Sequence, residues 1–136
     1  MNRRWIQMAL VLSCLIFLSS IIGVAAQESA GEHGATLLVS GLEGGSGSTI
    51  GPDGALYVPE NAAGRISRVD PQTGEVTPFA SGLPPIAPEI GIGGIMDVVF
   101  MDGTAYALVT LVGMIVGTDD VNGIYRMDGP DSWTVI

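Results

Sequence analysis

GPDGALYVPENAAGRISRVD, running from Gly51 to Asp70, returns in looser form further along the chain. Asp102-Gly103-Thr104-Ala105-Tyr106-Ala107 matches Asp53-Gly54-Ala55-Leu56-Tyr57-Val58 at an offset of 49. Gly123-Ile124-Tyr125-Arg126-Met127-Asp128 matches Arg65-Ile66-Ser67-Arg68-Val69-Asp70 at an offset of 58. Each copy reads turn, strand, loop, strand, acidic turn. A unit of this length cannot bury its own apolar face, so its recurrence predicts stacked units in a propeller or solenoid.

Working outward, each copy extends to four short strands. Gly51-Pro52-Asp53-Gly54 carries turn chemistry, since proline presets φ and Asp-Gly tolerates the positive φ of a tight reversal. Ser48-Thr49-Ile50, Ala55 to Val58, Ile66 to Val69 and Val76 to Phe79 form the first expected blade, about residues 48–80. Pro78 suits its outermost strand, because an edge lacks one partner. Ile95 to Phe100, Thr104 to Leu111, Gly123 to Met127 and Trp133 to Ile136 form the second, about residues 95–136. The class predicted is all-β, with two four-stranded antiparallel blades. Thr36 to Val39 reads as a further short strand. Glu43 to Ser48 and the glycine- and proline-rich Leu83 to Gly94 read as loops, and Val112 to Asn122 as an apolar loop covering a neighbouring surface.

The beginning of the chain has the layout of a secretory signal peptide. Arg3 and Arg4 precede an apolar run from Ile6 to Val24, and Ala25-Ala26 offers a small-residue exit. Residues 1–26 are therefore expected to be a signal cleaved after Ala26, with an uncleaved membrane anchor as the competing reading. Residues 27–35 are expected to be a flexible acidic arm, and 36–136 the partial propeller. Cys14, the only cysteine, falls in the signal, so the mature chain has no thiol for a disulfide or for catalysis. The implied address is secreted or periplasmic.

Beyond residue 26, Arg65, Arg68 and Arg126 face 14 carboxylates, and there is no lysine. That balance excludes nucleic acid and anionic membrane surfaces as partners, since both need a basic footprint. Propellers are typically built from about four to eight blades. Two visible blades predict an N-terminal portion of a longer protein, with an open sheet edge and an apolar face that make the isolated chain poorly soluble or partly disordered.

SGLEGGSGSTIGPDGALYVPE, GRISRVDPQTGEVTPFASGLPP, GGIMDVVF, TAYALVTLVG and NGIYRMDGPDSWTVI together resemble the scytonemin-cluster D/E family of secreted bacterial proteins. The resemblance spans Thr36 to Ile136. It implies a six-bladed propeller of the NHL and lactonase-like type and brings no catalytic residues with it. Val112 to Gly117 is more apolar than the family's proline- and aspartate-containing loop.

Glu60 and Asn61, after the first repeat's strand, and Asp97, at the matching edge of the second blade, are the candidate metal ligands. Lactonase-like propellers hold a divalent cation with Glu, Asn and Asp from different blades, as a hard cation wants several oxygens. No EGP-type opening of the gluconolactonase pattern is present. The local PDGxLxVxE…GRIxxVD pattern also resembles soluble quinone-dependent sugar dehydrogenases, whose chemistry needs a histidine base and basic side chains for the quinone acids. His33, the only histidine, lies in the arm. The leading expectation is a non-catalytic binding or scaffold module for a small molecule or protein, with no cofactor beyond a divalent cation; the alternative is a lactonase-like or sugar dehydrogenase-like enzyme. The three arginines are expected to pair with Asp70 and Asp128 nearby, and Tyr57 and Tyr106 to pack.

Overall fold

The computed structural model describes residues 34–136. The signal segment with Cys14, and the part of the arm that carries His33, lie outside the described residues. Leu37–Ile136 forms one compact unit. It contains eight strands: β1 (Thr49–Ile50), β2 (Leu56–Glu60), β3 (Arg65–Val69), β4 (Val76–Ala80), β5 (Gly94–Met101), β6 (Thr104–Thr110), β7 (Gly123–Gly129) and β8 (Ser132–Val135). They make two antiparallel four-stranded sheets in simple order, β1-β2-β3-β4 and β5-β6-β7-β8. The fold is all-β and blade-like, the class the repeat predicts.

The sequence offsets are the sheet register. Val58 pairs with Ser67 and Pro59 with Ile66 in the first blade; at offsets of 49 and 58, Ala107 pairs with Tyr125 and Leu108 with Ile124 in the second. Because side chains alternate across a strand, equal register also means that equivalent residues point to equivalent faces. Tyr57 and Ile66 on one face of the first blade meet Ile95, Val98, Ala107 and Val109 of the second in a single core. Tyr57 sits between two edge-on rings, Phe79 and Phe100, with centroids 4.7 Å away in each case. Such contacts add about 0.5–1.5 kcal/mol each beyond area burial.

The crossover after β4 clamps the outer strands together. Ser81 N–H donates to the Pro130 carbonyl at 2.8 Å, and Trp133 Nε1 donates to the Ser81 carbonyl at 2.8 Å. Gly64, at φ 66°, lets the β2–β3 turn approach this crossover; a Cβ there would lie 2.5 Å from the Leu83 carbonyl oxygen.

Two expected elements differ. Thr36 to Val39 is not a strand. Pro78 removes one outward donor from the free edge of β4, and the Leu38 carbonyl instead rests against Gly74, where the Cβ of any other residue would collide with it. The loop after β6 contains a 3-10 turn, Gly113–Ile115, and covers little: Met114 is 96% exposed and Ile115 72%. Its ends are closed by Asn122, whose carboxamide accepts from Val112 N–H at 3.1 Å and donates to the Val112 carbonyl at 3.2 Å.

Candidate functional site

The β2–β3 turn, the crossover and the start of β5 lie at one end of the blades, tied by Leu83 N–H to the Gly64 carbonyl and Ile86 N–H to the Asn61 carbonyl. All three candidate residues belong to this end, and the glycine-serine segment before β1 crosses it. Gly45 lies over Val58 and Pro59, Gly44 over Asn61, and Gly47 against the Asp97 carboxylate and Met96.

Glu60 ends β2 opposite Arg65, which begins β3. Its carboxylate is buried, 1% exposed, and fully engaged. Oε1 accepts from Arg65 Nε at 2.9 Å and from the Ser67 hydroxyl; Oε2 accepts from Arg65 Nη2 at 3.0 Å and from Glu43 N–H at 2.6 Å. Burial works against the charged form, but the donors from Arg65, Glu43 and Ser67 outweigh it and hold the carboxyl at about 2. A carboxylate with this donor set is a structural anion, with its lone pairs directed at protein groups.

Asn61 Nδ2 donates to Ser46 Oγ at 3.1 Å. Asp97 is exposed beside a bulge in β5, and its Oδ1 accepts from Val98 N–H at 2.8 Å. The three candidates thus share one end of the blades while each has its own partner. Among the described residues, no group of three His, Cys, Asp or Glu side chains is arranged to hold a metal ion.

The arginines occupy two different environments. Arg68 and Arg126 are equivalents, paired across the sheet with Tyr57 and Tyr106, whereas the equivalent of Arg65 is Gly123. Arg126 pairs with Asp128 at 2.9 Å, as expected. Arg68 pairs not with Asp70 but with Asp53 at 2.7 Å. The correction has a local cause: Asp70 is turned into the β3–β4 turn, where it accepts from Gln72 and Thr73 N–H at 2.8 and 3.0 Å. Asp53 is lowered first by the Arg68 hydrogen bond, and the Tyr57 hydroxyl also donates to it, at 3.2 Å. Burial, then the Asp53 charge, raises the Tyr57 phenol. Ser67 and Glu43 gave no signal in the sequence; only the pairing of β2 with β3 and the return of the preceding loop bring them to Glu60.

At the same end, Thr110 to Ile115 and Asp120 to Asn122 wall an open, largely apolar groove of about 600 Å³.

No protein-family model matches the chain, and neither does any curated protein. Among solved structures, the PQQ-bound form of aldose sugar dehydrogenase from Streptomyces coelicolor is similar, with a TM-score of 0.53 and 22% sequence identity. The likeness covers 74% of this chain and 30% of that one. The shared feature is the fold.

Proposed function

We propose that this chain contributes two blades of an exported β-propeller of the scytonemin-cluster D/E type, acting as a binding or scaffold module for a small molecule or protein. Export is supported by the layout of residues 2–26. The observation that carries the reading is the engagement of charge within the chain. Each described guanidinium is paired with a carboxylate, and the buried Glu60 is saturated by intramolecular donors. The surface left for a ligand at this end is apolar, around Leu111, Met114, Ile115 and Val121.

A second reading, a quinone-dependent sugar dehydrogenase, is supported by the likeness to the aldose sugar dehydrogenase. A quinone bearing several carboxylates needs cationic side chains free to meet them. Arg65, Arg68 and Arg126 already hold Glu60 and Glu43, Asp53, and Asp128. The described residues therefore do not fit that cofactor.

The two readings separate in one experiment. The full chain is titrated with pyrroloquinoline quinone and calcium, and dye-linked aldose oxidation is assayed. The binding reading expects neither saturable quinone uptake nor turnover. Stoichiometric uptake with turnover would establish the enzyme instead.

A further inference from the structure

The segment Leu42–Ser48 lies over the inner ends of both blades and is held there almost entirely by one residue. Glu43 N–H donates to Glu60 Oε2 at 2.6 Å, its carbonyl accepts from Ala62 N–H at 3.1 Å, and its carboxylate pairs with Arg65 at 3.1 Å. After it come Gly44, Gly45, Ser46, Gly47 and Ser48, whose largest side chain is a hydroxymethyl group. Their one side-chain fastening is the bond from Asn61 to Ser46.

We propose that Leu42–Ser48 is a lid on this end of the propeller, with Glu43 as its lock and the Glu60–Ser67–Arg65 cluster beneath it. The inference rests on the reading that a ligand meets this end of the blades. Three further observations support it. Gly41 at φ 85° and Gly44 at φ 83° flank the lock, so both joints use backbone conformations that side chains resist and glycine adopts freely. Gly44, Gly45 and Gly47 press their backbone onto Asn61, Val58 and Asp97, giving close cover with few interlocking side chains. The second blade, moreover, has no such polar cluster. Val109 and Gly123 stand at the positions of Glu60 and Arg65, and Val109 is sealed by the first blade. The Glu60–Arg65 cluster is therefore particular to the blade that carries the lid. Lifting it leaves Glu60 bound to Arg65 and Ser67 while freeing the Oε2 acceptor that Glu43 N–H occupies.

The test is hydrogen exchange of the full chain, read by mass spectrometry, for wild type, Glu43→Gln and Gly44→Ala. Glu43→Gln removes a partly exposed ion pair and should speed exchange of the two amides that fasten the segment, Glu43 N–H on Glu60 and Ala62 N–H on the Glu43 carbonyl, by about threefold. Gly44→Ala, strained at positive φ and facing Asn61, should speed it further. Amides of Leu56–Val58 and Ile66–Val69 should keep their wild-type rates. Unchanged exchange of the Glu43 and Ala62 amides in both variants overturns the lid, as does equal acceleration of these amides and the strands, which would make the segment an integral part of the blade. A missing ligand would leave these rates untouched, so failure of the binding reading is distinguishable from failure of the lid.

Discussion

In the first blade, Ile66 is completely buried and Tyr57 is enclosed by Phe79 and Phe100. Their equivalents in the second blade, Ile124 and Tyr106, lie on its outward face beside Val99 and Leu108, and Ile124 is 38% exposed. On the opposite faces the contrast reverses in kind. Val109 lies against a neighbouring sheet and is apolar, whereas Glu60 lies under a loop and is charged. Register decides where a side chain points; the neighbour decides what it must be.

That comparison can be broken most severely by exchanging the two opposite-face residues. Val109→Glu places a carboxylate in the interblade core opposite Gly123, with no cation across the ladder. An isolated buried charge costs at least several kcal/mol. Loss of the cooperative urea transition, followed by circular dichroism, is the expected outcome. Glu60→Val is the reciprocal change. It strands the Ser67 hydroxyl and Glu43 N–H and should destabilise by about 3–5 kcal/mol.

The aromatic pair comes next. Tyr57→Ala should cost about 3–5 kcal/mol, because it empties a site walled by two rings. Tyr106→Ala should cost less than about 1 kcal/mol in the same chain. Equal losses in urea midpoints would mean that the outward face of the second blade is covered in solution.

Acid should act on the first blade through Glu60. Glu60 has an ordinary value of 4.5 and is held at about 2 when folded. Its contribution is complete above the ordinary value and is lost as pH falls from about 4.5 toward 2. The full loss is on the order of 3 kcal/mol. Thermal midpoints across that window should fall for wild type and much less for Glu60→Gln, which lacks the titrating group.

The smallest effect is expected for the equivalent arginines. Arg68→Ala and Arg126→Ala each remove a partly exposed ion pair. Each should lower the urea midpoint only slightly, and the shift should shrink with added salt. A larger loss at Arg68 alone would assign additional weight to its link through Asp53 to Tyr57.

Much of the fold was legible because turns and alternation are local. Asp53-Gly54 and Asp102-Gly103 mark the hairpins, and the Tyr57 and Tyr106 repeat carries the pairing of β2 with β3 and of β6 with β7. Thr36 to Val39 misled because β-rich composition does not supply a partner edge. At the candidate site, Glu60, Asn61 and Asp97 were legible as polar residues near strand ends. Their partners were not, since Glu43 is 17 residues away from Glu60 and meets it only through the returning loop. Asp70 misled for a different reason: proximity in sequence to Arg68 counted for less than the two turn amides beside it.

The two offsets, 49 and 58, differ by nine residues, and all nine enter between the second and third strands without moving an aligned pair. This connection is therefore a permissive graft point. A foreign peptide could be displayed between Val112 and Asn122 provided that both are kept, because Val112 is buried in the core and the Asn122 carboxamide closes the ends of the loop on it as a neighbouring peptide group would.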